Sequence, residues 1–569
     1  MNQNSQSPCY FFDSKAIVFN NNCNLHIHSK IKRLSTMKNL KNQWVIVLIT
    51  LFPLFGYSQF YTNSAFNISE IRQNGTARFQ GVGGNHAALG GDASTTFGNP
   101  AGLAFFNRSE VSFSPSLFNV YTNTTYIGNS VTQTKSNPNL FNHFAIVLAG
   151  TPQGYNRKWK RTGLGITYSR QNNLTNQFQY IGTNNKSSFV DYVVERVNGD
   201  KVPFDQLDQE YNASKNLSQT LDAAVLNLYL FDDTTPTGPP YRRAIPLRNA
   251  AVNQDGLYTR GGSTSQWTFG YAGNYDDKLY VGVSLGLWKT TYNYEHSLNE
   301  RFSNARPFTS FTYNEKLVMT GSGINVSVGA MYKATDNIQI GGYIASPSLS
   351  TLHTIFDENV GVAISGDIPI FGFDGRPVTN TQGAQLFTPL RQTQIPVETF
   401  DFSYSLTGPL RASGGITYFL GGGKYGFITA TADYVGYKGM RMSTDFYSNQ
   451  SDNTAFRTDM KTQVQRTFNS TVNFRVGAEG RLGNFRVRAG GAYLPDAYTT
   501  RIDNLDRSRL QLSAGLGYRN EKFFVDLAGT YLQSKDAYTP YKLNDVTRYS
   551  SAQINSTGIN MIVSTGVFF

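Results

Sequence analysis

From about residue 108 to Phe569 the chain repeats one pattern, runs of roughly ten residues in which apolar and small or polar residues alternate, separated by turn formers. Leu279, Val281, Val283, Leu285 and Leu287 share one face, against Tyr280, Gly282, Ser284, Gly286 and Trp288 on the other. Asn274 to Asp277 turns the chain between this run and one carrying Trp267, Phe269 and Tyr271. Ile324 to Tyr332 repeats the pattern, with a turn at Thr335-Asp336-Asn337, and so does Leu510 to Tyr518, with a turn at Asn520-Glu521. No apolar run after Phe55 approaches the roughly 20 residues a spanning helix needs. A soluble β-sandwich alternates too, but its apolar faces must meet each other. Here the last strand, with Met561, Val563, Thr565, Val567 and Phe569 on one face, ends on a terminal aromatic of the kind that outer-membrane assembly machinery reads. The expected fold class is all-β: a transmembrane antiparallel β-barrel.

Composition agrees. Hydrophobic residues are 40% of the chain, yet mean hydropathy is −0.35, because lipid-facing and lumen-facing positions cancel. Aromatics at 14% and 53 glycines suit interfacial girdles and a crowded lumen.

Residues 37–58 read as a secretory signal peptide: Lys38 and Lys41, an apolar stretch from Trp44 to Phe55, then Gly56-Tyr57-Ser58, with cleavage expected before Gln59. Residues 1–36 are then an upstream extension, with translation expected to start at Met37. Both cysteines, Cys9 and Cys23, lie before this point, so the exported chain would have no disulfide framework. It would keep 44 basic and 37 acidic residues, a net +7, without the basic-aromatic clusters of a nucleic-acid binder. Three long segments, at about 172–263, 346–398 and 440–466, are rich in Asn, Thr, Asp and Pro and are expected outside the cell. Leu217 to Leu230 shows helical spacing and is expected to lie over the barrel mouth; Leu352 to Ile370 is a second apolar loop stretch.

Residues 77–106 are rich in Gly and Ala with little strand pattern, and contain Asn99-Pro100-Ala101-Gly102. Such a stretch suits a plug better than a wall strand. At Gly81, Gly83, Gly84, Ala87, Ala88, Asp92 and Asn99-Pro100-Ala101, and again at Arg488 to Pro495 and Leu512 to Tyr518, the sequence resembles the FadL/TodX family of outer-membrane transporters for hydrophobic compounds, in the form common in Bacteroidetes. The resemblance implies a 14-stranded barrel from residue 108 to 569, an N-terminal hatch over 59–107 inside the lumen and a sideways exit beside the hatch; a monomer among outer-membrane lipids is expected. Asn99, Pro100, Ala101 and Gly102 are the residues expected to shape that exit.

By alternation Arg475, Arg486, Arg488 and Arg519 point into the lumen, as do Glu479 and Asp526. One arginine could grip a ligand carboxylate bidentately; alternatively they pair with lumen or hatch acids, which the cost of unpaired buried charge favours. Gly282-Val283-Ser284-Leu285-Gly286 spells GxSxG, but within a strand rather than at a strand-turn-helix elbow. His86, His143, His296 and His353 have no metal-ligand spacing, and Lys424 after three glycines lacks P-loop spacing. The expectation is a non-enzyme without cofactor or metal that passively takes up a hydrophobic small molecule, fatty acid-like or aromatic. Two alternatives stay open: a PorV-like barrel binding secreted proteins in type IX secretion, and an outer-membrane hydrolase.

Overall fold

The computed structural model describes residues 54–70, 74–152, 158–245, 251–499 and 505–569. The expected upstream extension, and the expected signal peptide up to residue 53, lie outside them.

Fourteen antiparallel wall strands close on themselves. They are β1 (Glu110–Tyr126), β2 (Asn129–Gly150), β3 (Trp159–Asn173, continued by Asn176–Asn184), β4 (Val252–Tyr275), β5 (Leu279–Phe302), β6 (Phe308–Lys333) and β7 (Ile338–Ala345 and Leu349–Ile364). There follow β8 (Phe400–Thr407 and Arg411–Leu420), β9 (Gly426–Val435 and Arg441–Ser443), β10 (Thr471–Leu482), β11 (Phe485–Leu494), β12 (Arg509–Arg519), β13 (Phe523–Tyr538) and β14 (Ala552–Phe568). The ring closes where β14 pairs with β1, from Glu110↔Phe568 to Thr125↔Gln553. Closure removes the two edges of an open sheet, so the strands can meet their backbone hydrogen bonds without water except where the β2–β3 ladder ends.

Hairpins at one end are tight. Asp276 and Asp277 both adopt positive φ, at 56° and 54°, the conformation of a two-residue turn that matches strand twist. Gly421, Gly422 and Gly423 turn the chain with φ of 59°, 63° and 91°, so the glycine run before Lys424 is a hairpin.

The outward apolar band ends before the strands do. On β5 it runs from Leu279 to Leu287, exposed except at half-buried Val281, and the same face continues as Lys289, Thr291, Asn293 and Glu295. Fifteen further residues, to Phe302, carry the wall about 50 Å beyond the band. The first two long loops are therefore shorter than the sequence suggested. The first runs from 185 to 251, the second from 365 to 399, and the third holds a helix, Gln450–Thr467. Strand continuations with water on their outer face lose the apolar alternation that marks lipid-spanning ones.

A cap sits between β3 and β4. Helix α1 of the chain is Leu54–Ser69 and α2 is Ala77–Gly81; the cap then supplies α3 (Phe189–Asp200), α4 (Phe204–Gln209) and α5 (Leu221–Asn227), and the third loop supplies α6 (Gln450–Thr467). The helix expected within Leu217–Leu230 is the seven-residue α5. Phe189, Val193 and Val197 from α3 and Leu221 and Val225 from α5 share one core with Phe311, Val360 and Ile395 of the barrel rim. Full burial of each large side chain contributes roughly 1.5–3 kcal/mol. Ser188 caps α3 in a capping box with Asp191, and Glu300 of β5 accepts from the Phe189 amide at 2.9 Å, tying the cap to the wall.

Candidate functional site

Residues 77–105 lie inside the barrel. Three side-chain caps shape them: Thr76 accepts from the Phe79 amide at 3.1 Å, Asp92 from Ser94 at 2.9 Å and Asn99 from Ala101 at 3.1 Å. Pro100 opens the 3-10 turn Pro100–Phe105, where its missing N–H costs nothing. Helix α2 meets β11 to β14, and the turn from Pro100 meets β3 to β6, so the segment crosses the floor from wall to wall. Leu103, Ala101 and Ala104 are buried against Ala145, Val147, Ala272, Tyr280 and Met331.

The four candidate arginines of the sequence are engaged with protein. Arg475 bonds Asp433 at 2.9 Å and the Gly83 carbonyl at 3.1 Å. Arg488 bonds Glu479 at 2.8 Å and Asp526 at 2.6 Å, and Glu479 also receives Arg78 of the inner segment at 3.4 Å and Arg481 at 3.0 Å. Arg519 faces Glu110 at 3.8 Å, and Arg486 donates to the carbonyls of Gly483 and Phe485. Buried charges need such partners. These groups fasten the inner segment and the lower wall, and none lines the cavity above them.

That cavity, of about 60 Å³, lies above the inner segment. Phe97 and His86 border it from below and Ile68 and Ser69 at the end of α1 also line it; Gln171, Gln266, Trp288, Asn325 and Arg411 line its sides. Its position follows from a break shared by three neighbouring strands. Ser346-Pro347-Ser348 interrupts β7, Gly408-Pro409-Leu410 interrupts β8, and β9 breaks between Val435 and Arg441. Proline cannot donate to a ladder, so the wall bends here. Arg411, on β8 just past Pro409, donates to the Ser69 carbonyl, and no ion pair of it occurs among the described residues. Alternation alone places Arg411 inward with Ser413 and Thr417, so it was findable in the sequence but was overlooked beside the C-terminal arginines.

The wall has a second irregularity. The β2–β3 ladder runs from Gly150↔Thr162 to His143↔Ser169 and stops. Beyond it β3 continues pairing with β4, and β2 pairs with β1 alone. Pro115 lies at a shift in the β1–β2 register, where Ser114 faces His143 and Ser116 faces Asn139, so that Leu140, Phe141 and Asn142 bulge opposite one residue. Further up, amides bridge the seam again: Gln133 to Gln179 at 2.9 Å and Gln177 to Gln133 at 3.2 Å. Between lies a window of five β2 residues, Pro138 to Asn142, about 16 Å tall. Leu140 and Phe141 are exposed on its outer side. Gln171 belongs both to its β3 edge and to the cavity lining.

Asn99 donates to the carbonyls of Ala87 at 2.7 Å, Ala330 at 3.2 Å and Gly342 at 3.1 Å. Asn99, Pro100 and Ala101 therefore fix the segment against β5, β6 and β7 and Gly102 packs on Thr95 within it, while the window lies between β2 and β3. Phe97, with its ring 6.3 Å from that of His143, is the segment residue at the window. The GxSxG serine, Ser284, is buried mid-strand on β5, and among the described residues no three His, Cys, Asp or Glu side chains gather to hold a metal.

Fold and site together define a membrane β-barrel whose floor is filled from within and whose wall parts at one seam. Similar solved structures include the toluene transporter TodX of Pseudomonas putida, at TM-score 0.48 and 11% identity over 87% of this chain and 99% of that one. The toluene transporter TbuX of Ralstonia pickettii matches at TM-score 0.45 and 14% identity over 88% and 99%, and a FadL homologue of Pseudomonas aeruginosa at 0.47 and 12% over 87% and 99%. No family model and no curated protein matches the sequence. At these identities and TM-scores, the functional reading rests on the chain's own geometry.

Proposed function

We propose that this chain is an outer-membrane channel for passive, ATP-independent uptake of small molecules with apolar bodies. The supporting observation is that a cavity and a wall window adjoin through Gln171 while residues 77–105 fill the floor. Cargo is held in the cavity beneath the cap and leaves through the window into the membrane, with residues 77–105 acting as a hatch that closes the straight path. Residues 37–58 are removed on export, and the strand ending at Phe569 is recognised by the assembly machinery. No residue is assigned to chemistry, and a site that must release its cargo needs only moderate affinity.

The test is a bridged pair. With Asn139→Cys and Asn172→Cys introduced on the two window edges and joined by a bismaleimide, uptake in cells should fall to background while the barrel still inserts. Deletion of residues 77–103 should leave an inserted barrel without selectivity. Full uptake through the bridged window would refute the sideways route.

A further inference from the structure

The window is lined by hydrogen-bonding groups, where a route for plain hydrocarbon would be lined by apolar ones. His143 is fully buried, and neither ring nitrogen has a hydrogen-bond partner among the described residues. Asn142 and Gln171 are each 1% exposed, with partnerless amide nitrogens, and Asn139 has a third. Asn172 presents a partnerless carbonyl, and Thr167, one inward position below Ser169, a partnerless hydroxyl. Partnerless buried atoms also occur elsewhere in the barrel, at Gln339, Thr431 and Asn560 among others, but eight of them lie on the two short stretches Asn139 to His143 and Thr167 to Asn172. The unsatisfied groups thus concentrate where the β2–β3 ladder ends. Polar lining continues into the cavity, where Gln266 and the Trp288 indole both donate to Asn325 and Arg411 donates to the Ser69 carbonyl.

We infer that the cargo is an oxygenated amphiphile, an apolar body carrying two or more hydroxyl or comparable oxygen groups, and that His143, Asn142 and Gln171 select it at the window. This rests on the uptake reading above. Buried donors and acceptors left unmatched are costly, so a hydrocarbon in the window would leave four or more groups without partners, whereas a diol meets them. A site built around hydrogen-bonding groups rejects the analogue that lacks them far more strongly than an apolar pocket rejects an added hydroxyl. The apolar side chains of Leu140 and Phe141 on the outer side accept the body of the molecule as its polar end leaves.

The experiment compares two probes with one carbon skeleton, ethylbenzene and 1-phenylethane-1,2-diol. The full chain is expressed in a host lacking porins and its own channel for hydrophobic compounds. The protein-dependent uptake rate of the diol should exceed that of ethylbenzene by at least about tenfold at equal free concentration. The triple variant His143→Leu, Asn142→Leu, Gln171→Leu should bring the ratio to within a factor of about two. Binding to the purified protein, read from Trp288 fluorescence with Trp288→Phe as the blank, should show the same order without any window variant. Protein-dependent uptake of ethylbenzene at the diol's rate or faster would overturn the inference and leave the uptake reading standing. Absence of protein-dependent uptake of both probes, with a correctly inserted barrel, would overturn both.

Discussion

Two glycines of the lower wall let the backbone of the inner segment approach closely. A Cβ on Gly477 of β10 would lie 2.2 Å from the Val82 carbonyl oxygen, and one on Gly490 of β11 would lie 2.3 Å from the Gly83 amide nitrogen. Both neighbours are backbone, so no side-chain rotation relieves the clash. Gly490→Ala should therefore cost about 1–3 kcal/mol of segment docking, the range for overpacking a filled interior. That raises the population of the undocked segment by a factor of about 5 to 150. Hydrogen exchange of residues 77–105 in the reconstituted protein should accelerate by this factor, and planar-bilayer recordings should show brief ion conductance as the floor opens. Gly529→Ala on β13, where a Cβ meets nothing within 4 Å, is the control and should leave both unchanged. The double variant Gly477→Ala, Gly490→Ala should cost less than the sum, because both methyls press on the same Val82–Gly83 backbone. Wild-type exchange in Gly490→Ala would mean that the segment is not seated against this wall, and the reasoning would fail.

Arg488→Met removes the cation shared by Glu479 and Asp526 and should destabilise the barrel by about 3–5 kcal/mol in urea unfolding, whereas Arg486→Met, whose donors go to backbone carbonyls, should stay within about 0.5 kcal/mol. Glu300→Ala removes the acceptor of the Phe189 amide, the Ser188 hydroxyl and one N–H of Gln254 on β4, so α3 should gain exchange by a factor corresponding to about 1–3 kcal/mol, with the distant wall strands β10 to β12 unaffected. In the hairpin that the cap forms from Phe231–Thr235 and Gly238–Arg243, burial holds the Asp232 carboxyl up at about 6 against its ordinary 3.8, with Arg242 opposing. The folded hairpin then keeps a proton that the unfolded chain releases between pH 4 and 6, so its protection against proteolysis should fall as pH rises through that window and level off above it; Asp232→Asn should abolish the dependence.

The barrel was legible because its physics is local in sequence. A strand with lipid outside and packed lumen inside must alternate, and Leu279 to Trp288 does so residue by residue. The turn at Asn274 to Asp277 and the one before Lys424 were equally plain, since their conformations demand Gly, Asn or Asp. What the sequence hid was how far the strands continue. Thr291, Asn293 and Glu295 still alternate with buried Tyr292, Tyr294 and His296, but water on the outer face makes the polar partners resemble a loop. A search for aromatic-polar alternation, rather than apolar-small, would have carried β4 to β6 to their true ends.

The site was harder to read because it lies in departures from the pattern. Asn99-Pro100-Ala101 drew notice as a motif, yet motif and window face different walls, and the cap of Asn99 on Ala101 with its bonds to Ala330 and Gly342 gives that residue an anchoring task. The signs of the window were Pro115 and Pro138, two prolines on paired strands that otherwise read as continuous wall. A proline withholds one ladder bond, but only the register shows that the bonds lost on β1 and β2 are followed by a whole edge of β3 left to other partners. The bend beside the cavity has the same origin in Pro347 and Pro409, which lie 62 residues apart in sequence and on adjacent strands in space. In a closed barrel every backbone group has a neighbour waiting for it, so a proline inside a strand is costly wherever it falls. Four that cluster around one cavity and one seam mark the level at which this wall bends and opens, and the partnerless amides and imidazole found there indicate the chemistry of the cargo.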